Sequence, residues 1–218
     1  VAEELAVFLN NDGWKVIVYC QVEGTGSASY KDWNGITLIE IPVKGTGAKS
    51  TIVFDLKSIF HSLRYKKLHL TLGYNTAVFN ILQRIYGIPN VINMDGIEWK
   101  RQKWGLIAKS WFWLNERFGC YVGNHLVADH PRIEDHLATR VSRKKITMIP
   151  YGGAEVNEAN ETLLETIGVI PNRYAVVIAR PEPENSFLEI VRSCSVKSRE
   201  YKLVVLGDFK PDKNEYHK

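Results

Sequence analysis

Runs of β-branched and apolar residues alternate along almost the whole chain with stretches of helical period, and this alternation limits the fold more than any other feature. Strand-like runs read "KVIVYC" (15–20), "GITLIEIPV" (35–43), "KLHLTLGYN" (67–75), "VINMD" (91–95), "HLVAD" (125–129) and "ITMIP" (146–150). Between them the pattern predicts helices over 50–64, 76–87, 97 to about 122 and 132–141. A parallel strand pair needs a crossover of a dozen or more residues, so strands that alternate with helices join in parallel and the helices cover both faces of the sheet. The expected class is α/β, a Rossmann-like parallel sheet.

The rhythm breaks once. Residues 151–172, "YGGAEVNEANETLLETIGVIPN", bring glycines, acids and asparagines around one short helix and read as an interdomain connection. Beyond it "YAVVIAR" (174–180), a helix from about Ser186 to Val196 and "YKLVVLGD" (201–208) make one βαβ unit. The expected organisation is a first Rossmann-like domain over 1–150, a connection over 151–172 and the beginning of a second such domain over 173–218. Val1, Leu5, Phe8 and Leu9 recur at helical spacing before Gly13, so a helix is expected from the first residue, without a cap. The expectation is that a strand and loop upstream of it are missing and that the chain alone transfers nothing.

Composition excludes several classes. With 218 residues, 45% hydrophobic and 24% charged, the chain can bury a substantial core. A net charge of +4 slightly favours anionic partners without choosing one. Cys20, Cys120 and Cys194 lie far apart and form no C-x-x-C pair, which predicts buried thiols in a reducing compartment rather than disulfides or a zinc site. No run approaches the ~18 apolar residues of a membrane span, and no basic segment leads into an apolar signal.

Among the motifs, "VKGTGAKST" (43–51) resembles the end of a phosphate-cradling loop, with Lys49 and Ser50 in place. It fails because Val43 and Ala48 stand where that pattern needs glycine. "EGTGSAS" (23–29) reads as a mobile turn. "NMDGIEWKRQKWG" (93–105) is more informative, because ligands of open α/β sheets bind outside the carboxyl ends of the strands and "VINMD" ends there. Asp95 and Glu98 offer carboxylates, Gly96 allows close approach, and Asp95 is equally suited to capping the next helix. "ADHPRIEDHL" (128–137) sets Asp129 and His130 at another strand end, with Pro131 opening a helix. "IPYGG" (149–153) follows a strand with Gly152 and Gly153, suited to a ligand or to a hinge, and "ARPEPENS" (179–186) puts Arg180 at a strand end where it can fork onto phosphate oxygens or make a surface ion pair.

Taken together, "MDGIEWKRQKW", "ADHPRIEDHL", "IPYGG" and "ARPEPEN" resemble the family 4 retaining glycosyltransferases of the GT-B fold, and within them the bacterial rhamnosyltransferase-like subgroup of polysaccharide and cell-envelope assembly. The resemblance implies two Rossmann-like domains facing each other across a cleft, the first holding the acceptor and the second the nucleotide-sugar. It implies transfer, with retention, from a nucleotide-sugar to a growing, lipid-linked saccharide, with no metal, no cofactor and no nucleic acid. Asp95 would serve catalysis by positioning sugar or acceptor, although many relatives carry histidine there. Arg180, Gly152, Gly153 and Asn185 would bind the donor, Asn185 standing where the family has a lysine. Glu98, Trp99, Lys100, Arg101, His130 and Trp113 fall on the acceptor or membrane side. The pair of glutamates seven residues apart that contacts donor sugar and ribose in the family has no counterpart before Lys218. The implied location is cytoplasmic, in peripheral contact with the inner face of the cell membrane.

Two other classes stay open on the residues alone: a dinucleotide oxidoreductase, for which only Glu23 lies near the expected ribose ligand, and a non-catalytic module for anionic surfaces or nucleic acid. The helix expected over 98–119 sharpens the second. Trp104, Ile107, Trp111, Leu114 and Phe118 form one stripe, assigned to the core, and Trp99, Leu106 and Trp113 a second one. The second either is buried as part of a wide apolar face or rests at a lipid interface near Lys103, Lys109 and Arg117, with Trp99 and Trp113 at least partly exposed.

Overall fold

The computed structural model describes residues 2–153, 155–212 and 214–217. It divides into two compact units, Val1–Gly152 and Gly153–Lys218. The fold is α/β and Rossmann-like, with nine strands and seven α-helices among the described residues.

Unit 1 holds two sheets. In the first, β1 (Ile17–Glu23) pairs in parallel with β3 (Ile36–Val43), and β2 (Ser29–Trp33) pairs antiparallel with the other edge of β3. The central β3 carries the burial: Ile36, Ile39, Ile41 and Val43 are almost wholly removed from solvent. β2 was not legible as a strand, because "SYKDW" is polar and mostly exposed. Its register is fixed by the turn at Asn34 and Gly35, both with positive φ, and by Lys31 and Ser29, which hold Glu40 at 2.5 and 3.0 Å. The "EGTGSAS" stretch is therefore a turn that ends by entering a strand.

The second sheet is wholly parallel, in the order β4 (His69–Leu72), β5 (Asn90–Asn93), β6 (His125–Ala128), β7 (Ile146–Met148). Ile92, Leu126, Ala128 and Ile146 pack with Tyr74, Met94, Cys120 and Leu137 into its core. The helices arise where the periodicity placed them: α1 (Ala2–Asn11), which ends before Gly13 at φ 88°, α2 (Ala48–Ser62), a short 3-10 turn continuing into α3 (Ile81–Ile85), and α5 (Pro131–Ala138).

The long helix expected over 97–122 is a correction. Glu98–Lys100 form only a 3-10 turn, Arg101 returns to extended backbone at ψ 135°, and α4 runs from Leu106 to Val122 behind Gly105. The turn wins because the Glu98 side chain accepts from both Arg101 (2.8 Å) and the Trp104 indole (3.0 Å), tying the chain into a compact loop. The core stripe assigned to α4 is also displaced. Ile107 is 89% exposed and Leu114 41%, whereas Asn115, Glu116, Gly119, Cys120 and Val122 face inward.

Unit 2 contains α6 (Thr162–Thr166), then β8 (Tyr174–Ile178), α7 (Phe187–Ser195) and β9 (Lys202–Leu206), the two strands parallel. All three cysteines are free, but only Cys120 is buried; Cys20 and Cys194 are half-buried, which corrects the expectation for those two. Burial pushes the Cys120 thiol up to about 11, so it is inert at neutral pH.

Candidate functional site

In unit 1 the strands of the parallel sheet deliver their carboxyl ends to one edge, and the segments that leave β5, β6 and β7 there carry Asp95, Asp129 and Tyr151. Tyr151 is drawn into one electrostatic group with the two aspartates. Its phenol pKa is raised, first by desolvation of its buried part, then by the negative charges of Asp95 and Asp129 and by an interaction of its hydroxyl with Asp129. The phenol therefore keeps its proton at neutral pH, in the electrostatic field of two carboxylates.

Asp95 is exposed and sits at φ 44°, the left-handed region that costs a side-chain-bearing residue free energy. Its N–H donates to Asn93 Oδ1 at 3.3 Å. Capping, the alternative left open by the sequence, does not account for it, because the 3-10 turn over Glu98–Lys100 and α4 have no side-chain cap. The surroundings impose this conformation from both sides. Met94, just before it, is buried and its N–H donates to Val127 O of β6 at 2.8 Å. Just after it, the N–H of Glu98 donates at 2.8 Å to the hydroxyl of Tyr74, which is 1% exposed and whose pKa is raised chiefly by burial.

The rest of the 93–104 loop is braced from below. Burial opposes the charge on Glu98, but the hydrogen bonds from Arg101 and Trp104 outweigh it and hold the carboxyl below the usual range. Trp99 donates at 2.7 Å to Glu116 of α4, a carboxylate only 1% exposed. Glu116 is shared further with the His136 ring at 3.1 Å and with the Arg140 guanidinium, which lies 2.9 Å away as an ion pair aligned outside hydrogen-bond geometry. Glu98, Trp99 and Arg101 thus act as braces. Lys100 is exposed, its ammonium 5.4 Å from the centre of the Trp99 ring.

His130 caps α5, its Nδ1 accepting from the Arg132 N–H at 3.1 Å next to Pro131. Gly152 and Gly153 stand in the open, and a Cβ on either would meet nothing within 4 Å. Trp113 is 43% exposed on α4 with the Arg117 guanidinium 3.4 Å from its ring centre. Among the described residues, no group of three His, Cys, Asp or Glu side chains is placed to hold a metal ion, and no helix is long and apolar enough to cross a membrane. A shallow depression lined by Arg84, Ile88, Pro89 and Asn124 lies at the amino ends of β5 and β6, the wrong end for ligands of such a sheet.

In unit 2 the exposed Arg180 follows β8, and no described carboxylate pairs with its guanidinium. Asn185 Nδ2 donates to the Arg180 carbonyl at 2.7 Å and holds the loop closed in front of α7. Ser186, at φ 54°, turns the chain into that helix, where the Leu188 N–H already donates to the Tyr216 hydroxyl at 3.2 Å. Asn185 is thus a loop brace through its side chain.

The sequence singled out Asp95, and Asp129 beside it, from their strand-end positions. It does not single out Tyr151, although the residue stands inside "IPYGG", because a Gly-Gly pair after a strand reads as a hinge or ligand turn and a single tyrosine there carries no pattern. Glu116 was not legible at all, since a lone glutamate in an aromatic helix reads as its solvent side. A family model described as a domain of unknown function, DUF1972, matches residues 1–154. No curated protein matches the chain.

Proposed function

Because the chain belongs to the DUF1972 family, which is associated with glycosyltransferase-like proteins, we propose that it takes part in transferring a sugar from a nucleotide-sugar to a saccharide acceptor. The observation that carries this reading is the group formed by Asp95, Asp129 and Tyr151 at the carboxyl edge of the parallel sheet, with Asp95 held in an unfavourable backbone conformation. Two carboxylates and a protonated phenol suit polyhydroxylated ligands, which both donate and accept hydrogen bonds.

In sugar transfer, negative charge grows on the leaving diphosphate and positive charge on the sugar. Unit 2 offers Arg180, unpaired with any described carboxylate, to the diphosphate, while Asp95 of unit 1 supplies a carboxylate for the acceptor hydroxyl or the sugar. Retention of configuration, membership of the family 4 GT-B enzymes, a rhamnosyl donor and a lipid-linked acceptor are the finer form of the proposal. They rest on the sequence resemblance.

The test uses protein expressed from its whole coding sequence. Arg180→Ala is expected to weaken nucleotide-sugar binding by about 10- to 100-fold in calorimetry, the value of a charge-assisted phosphate contact. Asp95→Asn should leave that affinity within about twofold and lower turnover by about 100-fold or more. Equal loss of nucleotide affinity in both variants, or no binding of any nucleotide-sugar by the parent protein, overturns the reading.

A further inference from the structure

The outward face of α4 is apolar, and nothing among the described residues covers it. At ~100° per residue, Trp113, Leu106, Tyr121, Leu114 and Ile107 fall within an arc of ~120°, together with Ser110 and Arg117. Leu106 is 83% exposed, Ile107 89%, Tyr121 67%, Trp113 43% and Leu114 41%. The buried Asn115 and Gly119 lie on the opposite side of the helix, and the buried Glu116 and Cys120 beyond the Trp113 edge of the arc. A contiguous apolar strip of this kind marks a contact surface rather than scattered exposure.

Charge decides what it contacts. The only carboxylate on α4 is Glu116, which is turned inward and paired with Arg140. The other charged residues of α4 are positive: Arg117 lies within the arc, stacked on Trp113, and Lys109 flanks it. Lys103 is exposed just ahead of the helix, its ammonium 4.9 Å from the Trp104 ring centre. Tryptophan, leucine and isoleucine in a strip edged by basic side chains and free of acids match a bilayer interface, with indole at headgroup depth and cations at the phosphates. A protein partner would need only the apolar strip; the exclusion of carboxylates adds a reason specific to anionic lipid.

We propose that the outer face of α4 seats unit 1 on an anionic phospholipid surface, with Leu106, Ile107 and Leu114 inserted and Arg117, Lys109 and Lys103 on the lipid phosphates. Trp99 has no part in it, since its indole is engaged by Glu116. The proposal stands independently of sugar transfer, because lipid binding is read without donor or acceptor.

Co-sedimentation of the chain with phosphatidylcholine vesicles, with and without phosphatidylglycerol, tests it. Binding is expected to the anionic vesicles, falling as salt is raised. Ile107→Glu and Leu106→Glu, at positions too exposed to affect folding, should each lower partitioning about tenfold or more. Arg117→Glu should do so mainly at low salt, and unchanged thermal melting of all three confirms that they are folded. Absent binding by the parent, or binding that the variants leave unchanged, overturns the proposal. So does a dimer in ultracentrifugation that Ile107→Glu makes monomeric while vesicles remain unbound, which would make the face an interface between copies.

Discussion

The inward face of α4 carries Asn115, Glu116 and Cys120, whereas its outward face carries Leu106, Ile107 and Leu114. Polar groups inside are tolerated because each is paired. Asn115 accepts from the Val78 N–H at 2.9 Å and donates to Trp111 O at 2.9 Å, and Glu116 gathers Trp99, His136 and Arg140. The two faces show that helical periodicity identifies an apolar stripe without saying that the stripe is the core. Here the inside of the helix is used to hold a loop, and the outside is left for contact.

The largest expected effect comes from breaking the inner face. Glu116→Ala leaves Arg140 buried without a carboxylate and releases Trp99, and should cost about 3–5 kcal/mol in urea denaturation. A loss below about 1 kcal/mol would mean that the inner face is no more structural than the outer one.

A smaller effect is expected one layer above, at the loop that Glu116 supports. Glu98→Gln removes the charge that Arg101 and Trp104 bind, and should cost about 1–2 kcal/mol at neutral pH. The sign follows from the lowered pKa of Glu98: its contribution is full above the ordinary glutamate value of ~4.3 and disappears as pH falls through the lower folded value. Unfolding midpoints of parent and variant should therefore differ at pH 7 and converge in acid. A gap that persists below the folded pKa would show that the loop is held by shape and not by charge.

The smallest effect is expected outside. Ile107→Glu should change stability by no more than about 0.5 kcal/mol, since its side chain is already in water, while changing lipid binding as described above. Destabilisation beyond ~1 kcal/mol would show that the outer face is packed after all, and the contrast between the faces would collapse.

The candidate site divides along the same physical line. Asp95, Asp129, His130 and Arg180 were legible because a strand end followed by a turn residue is a local pattern, and ligands of such sheets collect at carboxyl ends. What each does depended on partners far away in sequence. His130 turns out to cap α5, Asn185 to brace its own loop, and Trp99 to reach Glu116 17 residues on. The antiparallel β2 was not legible because an exposed polar edge strand carries no alternation to read, and the break before α4 was not legible because the side chains that force it, Arg101 and Trp104, include no helix breaker.

By itself the sequence determined the class of fold, the parallel pairing that follows from α/β alternation, and the strand ends where chemistry collects. These are set by the spacing of apolar residues and by the length of crossover that parallel strands need. Only the tertiary structure decided which side of α4 is inside, that Tyr151 joins Asp95 and Asp129, and that Asp95 is held in a left-handed conformation. Each of these depends on contacts between segments that leave different strands, and a buried carboxylate such as Glu116 is worth burying only where an indole, an imidazole and a guanidinium from elsewhere in the chain converge on it.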